Sequence, residues 1–170
     1  MILRSDPPAA EARRGGSWLR WEGPDGYWAS DDRELIDVAW VHLRLSQQAY
    51  WALGRPYDVV AKSIEHSLVV GLFSADRLQV GFARFVTDCA TFGWLCDVFV
   101  DSEHHGSGLG SFLVEAATTH PAVEGVRQIL AATPGRTLYA RHGFVPLPSP
   151  ERWMERPGTP ARPSGAQTGS

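Results

Sequence analysis

The chain has 170 residues, of which 44% are hydrophobic and 21% charged, with a formal net charge of −3 and a pI near 6.0. This length and composition are typical of one globular domain with its own core. The mild acidity and the scattered arginines argue against nucleic acid as a partner. The sequence has no run of about 18 apolar residues for a membrane span and no apolar signal core, so we expect a cytoplasmic protein without a membrane partner.

Both ends of the chain are poor in apolar residues and rich in Pro, Gly, Ser, Thr, Ala and Arg. This composition predicts disorder in residues 1–17 and 157–170. Residues 18–156 are predicted to form a single α/β domain. Its two cysteines, Cys89 and Cys96, are expected to be reduced and to have no catalytic role.

The first part of the domain is predicted to contain one strand and two helices. A short strand at 27–30 precedes a helix that Asp31 and Asp32 cap. The apolar face of this helix is predicted to be Ile36, Ala39, Trp40 and Leu43. Pro56 suits the first turn of the second helix. Its apolar stripe is predicted to be Tyr57, Val60, Ala61 and Ile64.

The next part is predicted to be a sheet. Strands at 68–73 and 78–87 are separated by a short turn, which favours an antiparallel hairpin. A third strand covers 92–100, and a fourth covers 126–132 after about 25 residues, enough for a helical crossover to a parallel neighbour. The predicted sheet is therefore mixed.

The glycine-rich turn after the strand at 92–100 is the most informative segment. Glycines at 106, 108 and 110 precede a helix whose apolar residues recur at helical spacing, namely Leu109, Phe112, Leu113, Ala116 and Ala117. The first turn of a helix has N–H groups without intrahelical partners and a partial positive charge, so it binds phosphates readily. Glycines also let a ligand approach the backbone. The alternative is an ordinary flexible loop before a helix.

The spacing of this turn excludes two common phosphate motifs and fits a third. It has neither the Gly-Lys-Ser/Thr ending of nucleoside triphosphatases nor the Gly-x-Gly-x-x-Gly of dinucleotide folds. It reads His105-Gly106-Ser107-Gly108-Leu109-Gly110, with Val100 five residues earlier. The strand at 126–132 is followed by Leu138-Tyr139-Ala140-Arg141-His142-Gly143-Phe144. Together these segments resemble the GNAT superfamily of acyl-CoA N-acyltransferases.

The resemblance, which extends over about 27–156, implies a single-domain GNAT-like fold with a mixed, mostly antiparallel sheet and flanking helices. It implies transfer of an acetyl group from acetyl-CoA, as cosubstrate, to a primary amine by direct attack in a ternary complex. The acceptor it implies is a small-molecule amine or a peptide or protein amino group. A catalytically silent acyl-CoA-binding module with the same fold is the alternative, and the family analogy extends to a homodimer.

The resemblance also assigns cofactor contacts. It implies that backbone amides of the bulged strand and of the glycine turn bind the cofactor, at Val98, Phe99, Val100, His105, Gly106, Ser107, Gly108, Leu109, Gly110 and Ser111. One residue departs from the family pattern, because His105 occupies the position of an arginine or glutamine that helps to hold the pyrophosphate. Histidine is mostly neutral at pH 7, but the backbone donors remain.

Tyr139 and Asp97 are the predicted catalytic residues. By the resemblance, Tyr139 is the acid that protonates the departing thiolate; the alternative is an aromatic ring that packs on the sheet. Asp97 interrupts an apolar run, so its carboxylate must be paired or functional. It is the first candidate for the base, and a structural ion pair with Arg84 is an equal alternative. His42 is a lower-ranked base or substrate contact, since a lone histidine near an apolar helix face is more often a packing residue.

The acceptor pocket is expected between the first two helices, their connecting loop and the strands that carry Arg84 and Asp97. Tyr50 and Trp51 are predicted to line it, together with Arg84 and His42, and to offer an apolar or cation–π surface to an amine. No metal site is expected. The polar cluster Asp101, Glu103, His104 and His105 lies in one loop, and adjacent loop residues rarely converge on a metal.

Overall fold

The computed structural model describes residues 12–15, 17–132 and 136–158. These ranges contain seven strands, which are β1 (Ala12–Gly15), β2 (Trp18–Glu22), β3 (Trp28–Ser30), β4 (Leu68–Phe73), β5 (Gln79–Thr87), β6 (Phe92–Val100) and β7 (Arg127–Ile129). The α-helices in the same ranges are α1 (Val38–Gln48), α2 (Tyr57–Glu65), α3 (Leu109–Thr118) and α4 (Arg136–Ala140). None of the helices within the described residues is long and apolar enough to cross a membrane.

The strands form one sheet in the order β1-β2-β3-β4-β5-β6-β7. Every neighbouring pair is antiparallel except β6 and β7, which are parallel and joined through α3. The predicted mixed, mostly antiparallel sheet with flanking helices is therefore confirmed. Strands β4 and β6 have the predicted bounds, and β5 begins one residue later than predicted.

The last strand is shorter than predicted. The sequence indicated a strand over 126–132, but β7 covers only Arg127–Ile129. Its pairing with β6 ends at Trp94↔Ile129, before the irregular part of β6 begins. The apolar residues that follow β7 are thus not used for pairing, and they border a cavity instead.

The amino-terminal prediction is wrong in part. Residues 12–15 form β1, which pairs along its whole length with β2, although residues 1–17 were expected to be disordered. An edge strand can form on backbone pairing alone, so low apolar content does not exclude it. Strand β2 was not predicted, yet its Leu19 and Trp21 are buried. Residues 1–11 and 16, and residues 159–170 of the predicted carboxyl-terminal tail, lie outside the described residues.

The first helix begins later than predicted. Asp32 caps only a short 3₁₀ turn, whereas Asp37 caps α1 by accepting from the Trp40 amide at 2.9 Å. This later start changes the buried face to Val41 and Leu45, and Leu43 is 42% exposed. The predicted second helix is present as α2, with Pro56 as its N-cap.

Two apolar layers cover the two faces of the sheet. Helix α3 packs on one face, with Leu109 and Leu113 in a cluster that includes Val70. Helices α1 and α2 pack on the other, where Val41 and Val60 join a cluster with Val69 and the aromatic residues of the neighbouring strands. Because adjacent residues of β4 face opposite layers, nearly all of this strand is buried. The central strands are thus held from both sides, which makes them a rigid support for the site at the β6 end.

Candidate active site

Strand β6 contains a bulge in its pairing with β5, beyond the residues that pair with β7. Phe82 pairs with Phe99 and Arg84 pairs with Cys96, so two residues of β6, Asp97 and Val98, lie opposite one residue of β5. Asp97 has a φ of +49°, in the left-handed region that few residues other than glycine adopt. A bulge disrupts the ladder locally and bends its strand. It therefore releases backbone groups near Val98 from the pairing with β5 and bends β6 at this point.

A cavity of about 370 Å³ lies between this part of β6 and the residues after β7. The residues that line it include Tyr50, Trp51, Arg55, Arg84, Trp94, Cys96, Asp97, Val98, Leu130 and Tyr139. A larger groove of about 1240 Å³ runs along β7 and the segment after α4, and it shares Tyr50, Trp51 and Tyr139 with the cavity. The smaller cavity falls within the usual size of small-molecule sites.

The Asp97 side chain, only 2% exposed, is the centre of a polar cluster in this cavity. Its Oδ2 accepts from Arg84 Nε at 2.7 Å and from Arg55 Nη1 at 2.9 Å, and its Oδ1 accepts from the Trp51 indole N–H at 3.1 Å. The ion pair with Arg84, one of the two alternatives for Asp97, is thus present. The structure adds Arg55 and Trp51, which the sequence did not connect to Asp97.

Two other ionisable groups of the cavity stay protonated at neutral pH. Burial, with a smaller contribution from Tyr50, raises the pKa of the Tyr139 phenol above its ordinary value. Burial raises the pKa of the Cys96 thiol to about 11, although nearby Arg84 opposes this shift. Because the thiolate is the reactive form of cysteine, Cys96 is a poor nucleophile in this environment. Tyr139 also packs edge-on against Phe144, with ring centroids 6.1 Å apart, and against the core cluster that contains Val70 and Leu95 of the sheet. The packing contact of the alternative interpretation is thus present too.

The predicted glycine turn leads directly into α3. Gly106 has a φ of +91° and Gly108, the N-cap of the helix, a φ of +76°, conformations that glycine adopts without strain. A Cβ added at either position would meet no atom within 4 Å. Open space therefore lies beside the Cα atoms of both glycines, and the first turn of the helix that follows has N–H groups without intrahelical partners. Leu109 contributes its backbone only, since its side chain is buried in the core.

The side chains of the loop between β6 and the glycine turn have partners of their own. His105 is exposed, and its Nε2–H donates to the carbonyl of Val100 at 2.8 Å. Asp101 forms an ion pair with Arg44, and His104 is hydrogen-bonded to the Tyr27 hydroxyl at 2.8 Å. Within the described residues no group of three His, Cys, Asp or Glu side chains is placed to hold a metal ion.

His142 is a site residue that the sequence did not single out. The Ser111 hydroxyl is 2.8 Å from His142 Nε2, which connects the first turn of α3 to the loop after α4. Burial lowers the pKa of His142 and so favours its neutral ring, which shares this hydrogen bond with the hydroxyl. The signal in the sequence was weak, since the two residues are 31 positions apart. His142 also lines the larger groove.

Of the residues predicted for the acceptor pocket, Tyr50 and Trp51 line the cavity and His42 lies outside its described lining. The two aromatic rings are in edge contact at 5.0 Å and both line the cavity. His42 is not among the described lining residues; it donates from Nε2 to the Arg55 carbonyl at 3.1 Å and packs edge-on against Tyr57. It therefore supports the loop that carries Arg55 and does not contact the cavity.

The bulged strand, the cavity beside it and the glycine turn before α3 are the features of the acyltransferase class that the sequence resembles. A family model for the GNAT acetyltransferase domain matches residues 67–146. A solved structure from Xanthomonas campestris pv. campestris, provisionally described as a GNAT-family acetyltransferase, is 42% identical, with a TM-score of 0.76, and the match covers 80% of this chain and 96% of that one. The chain belongs to the GNAT family of acetyltransferases.

Two further comparisons give weaker matches. A curated protein from Gibberella zeae with a provisional acetyltransferase description is 28% identical over 117 residues, or 58% of this chain. The match spans 64% of that relative, less than two thirds of its length. Glucosamine-6-phosphate N-acetyltransferase from Arabidopsis thaliana shares the fold, with a TM-score of 0.52, 12% identity, and coverage of 79% of this chain and 99% of that chain.

Proposed function

We propose that the protein is an acetyl-CoA-dependent N-acetyltransferase that moves the acetyl group to a primary amine by direct attack in a ternary complex. One observation carries the proposal: the accessible glycine turn at the start of α3 adjoins the end of the bulged strand, beside a cavity that Tyr139 lines. When bound, acetyl-CoA supplies an acetyl thioester, which is already activated for transfer. The chain must then hold the phosphates, orient the carbonyl and provide a proton.

The glycine turn fits the phosphate role. Gly106 and Gly108 leave the space beside the backbone open, and α3 is long enough, at 10 residues, to present a first turn of free N–H groups. Gly110 is close to Leu138 of α4, so the turn adjoins the element that carries Tyr139. His105 contributes through its bond to Val100, which holds the turn against the end of β6. We assign phosphate binding to backbone amides between 106 and 111.

The bulged strand and Tyr139 are assigned to the thioester end. Backbone N–H groups of Val98, Phe99 and Val100 bind the pantetheine arm and the acetyl oxygen, which would stabilise the charge that develops during attack. The Tyr139 hydroxyl donates a proton to the departing thiolate. Burial favours this role, because it raises the pKa of Tyr139 and so keeps the phenol protonated.

Direct attack is favoured over an acyl-cysteine intermediate. Cys96 is the cysteine that lines the cavity, and its thiol, with a pKa of about 11, is protonated at neutral pH. We assign Asp97 to positioning, because both of its oxygens already accept from Arg55, Arg84 or Trp51. Tyr50 and Trp51 form the aromatic wall beside the acceptor.

Calorimetric titration with acetyl-CoA, CoA and dephospho-CoA tests the proposal, followed by thiol release with a panel of primary amines. We expect micromolar binding of acetyl-CoA and thiol release that depends on an amine. Folded protein that does not bind acetyl-CoA at millimolar concentration would overturn the proposal. Binding without thiol release from any amine would instead identify the catalytically silent module.

A further inference from the structure

We propose that the acceptor is a small primary amine that also carries an anionic group, a carboxylate or a phosphate, and that Arg55 binds this group. The inference rests on the proposed acetyl transfer and specifies its substrate class. The observation behind it is an excess of positive charge in the cavity of about 370 Å³ beside the β6 bulge. This volume, together with the aromatic rings around it, suits a small molecule.

The charge of the cavity can be counted from its described lining residues. Arg55 and Arg84 contribute two positive charges and Asp97 one negative charge, which leaves a net charge of +1. The other ionisable groups of the lining are a thiol and two phenols, which are neutral at pH 7 in their ordinary state. No carboxylate other than Asp97 is present among these lining residues. An amine without an anionic group would therefore enter a site that repels its ammonium form.

The hydrogen bonds of the two arginines show which one can bind a ligand. Arg84 donates from Nε to Asp97 and from Nη1 to the Ser67 hydroxyl, and its side chain is 13% exposed. The side chain of Arg55 is 23% exposed, and within the described residues its hydrogen bond to Asp97 uses Nη1 alone. Its Nε and Nη2 donors thus remain for a ligand. A guanidinium presents these donors in the planar geometry that carboxylates and phosphates match.

Arg55 is also held in place before any ligand binds. Its amide donates to the Ala52 carbonyl at 3.0 Å, its own carbonyl accepts from His42 at 3.1 Å, and the preceding Gly54 amide donates to the Ser46 carbonyl at 2.9 Å. Asp97 fixes the guanidinium itself. A preorganised group loses less conformational entropy on binding, so Arg55 can contribute its charge at low cost.

Matched pairs of acceptors test this inference. Thiol release from acetyl-CoA is measured with α-amino acids against their amides, and with phosphoethanolamine against ethanolamine, which separates the carboxylate source from the phosphate source. We expect the anionic member of at least one pair to be preferred by about tenfold to a hundredfold in kcat/KM, the range of a charged hydrogen bond. The preference should arise mainly from a lower KM.

Two arginine substitutions provide the test at Arg55 and its matched control at Arg77. Arg55→Met should abolish the preference, while Asp97 keeps its bonds to Arg84 and Trp51. Arg77→Met removes a charge from the exposed β4–β5 turn, outside the described cavity lining, and should leave the preference unchanged. Should Arg55→Met fold poorly, Arg55→Lys, which keeps the charge without the planar fork, is expected to lower the preference partially.

The possible outcomes separate this inference from the proposed function. Equal kcat/KM for anionic and neutral partners, or a preference that persists in Arg55→Met, would overturn the inference and leave acetyl transfer established. Absence of thiol release with every amine would overturn the proposed function, and the inference with it.

Discussion

At the scale of single residues, Asp97 combines a left-handed backbone with a buried carboxylate. Its φ of +49° is set by the bulge, and Asp is one of the few side chains that tolerate this region. The buried carboxylate then requires partners, which Arg55, Arg84 and Trp51 provide. Asp97 thus lies at the bend of the strand and also binds three side chains of the cavity wall.

The substitution Asp97→Asn distinguishes a positioning role from that of a base. Asn also tolerates the left-handed region, but its amide lacks the charge that two guanidinium groups require. We expect a loss of about 2 kcal/mol in the free energy of unfolding, the magnitude of a charged hydrogen bond. Chemical denaturation measures it. A variant that keeps the wild-type stability while its kcat falls steeply would contradict the positioning role and support Asp97 as the base.

Tyr139→Phe tests the proposed acid. We expect kcat to fall by about tenfold to a thousandfold, the order of magnitude of the rate that a general acid contributes. The affinity for acetyl-CoA should be nearly unchanged. Parallel losses in affinity and rate would indicate that the hydroxyl serves packing or binding.

The pH dependence follows from the direction of the pKa shift. Because burial raises the pKa of Tyr139, its protonated form persists to higher pH than that of an ordinary tyrosine. The wild-type rate should therefore show no fall from Tyr139 ionisation below pH about 10, the ordinary pKa of this side chain. A pH profile of kcat measures this, and a fall attributable to Tyr139 near neutral pH would contradict it.

At the scale of elements, the site depends on where regular pairing stops. Strand β6 pairs with β7 over only three positions and then bulges, which leaves room for the cavity between them. The glycine turn follows from the end of the same strand, so β6 connects the proposed acetyl and phosphate ends. A regular ladder through this region would close the gap.

Gly108→Val tests the glycine turn. Valine at a φ of +76° is strained, and its side chain would occupy the space assigned to a phosphate. Gly125→Val is the matched control, since Gly125 has a φ of +71°, an open environment and a place in the turn before β7. We expect both variants to lose about 1–2 kcal/mol of stability from backbone strain, and only Gly108→Val to lose acetyl-CoA binding in calorimetry. Retained binding in Gly108→Val would contradict the assignment.

At the scale of the whole molecule, the proposed cosubstrate and acceptor contacts come from different parts of the chain. Helix α3 packs on one face of the sheet, whereas Arg55 and Trp51 belong to the loop between the helices of the other face. The cavity lies where this loop meets β6 and the residues after β7. Ligand binding should therefore stabilise the domain as a unit.

Thermal unfolding measures this effect. A ligand at a hundred times its Kd stabilises the native state by about 2.7 kcal/mol, and each kcal/mol raises the Tm of a domain of this size by about 2–4 °C. We expect saturating acetyl-CoA to raise the Tm by about 5–10 °C, and Gly108→Val to show no such increase. An unchanged Tm of the wild type at saturation would count against binding to the native fold.

Features encoded by local pattern could be predicted from the sequence alone. Strands β4 and β6 and helix α3 follow from apolar runs and helical spacing, and the glycine turn follows from its own residues. The start of α1 was wrong because Asp31, Asp32 and Asp37 can all act as caps, and only packing of Val41 and Leu45 selects among them. Strand β1 was missed because its pairing with β2 needs no apolar side chains.

The family, the glycine turn and the positions of Tyr139 and Asp97 were accessible to the sequence, since each depends on a short segment. The sequence proposed Arg84 as a partner of Asp97, and only the tertiary structure identified the other partners. Arg55 and Asp97 are 42 positions apart, and Ser111 and His142 are 31 apart, so no local periodicity connects them. A carboxylate within an apolar run predicts a cationic partner. Only the folded chain determines which cations reach it, and here Arg55 and Arg84 together leave the cavity with a net positive charge.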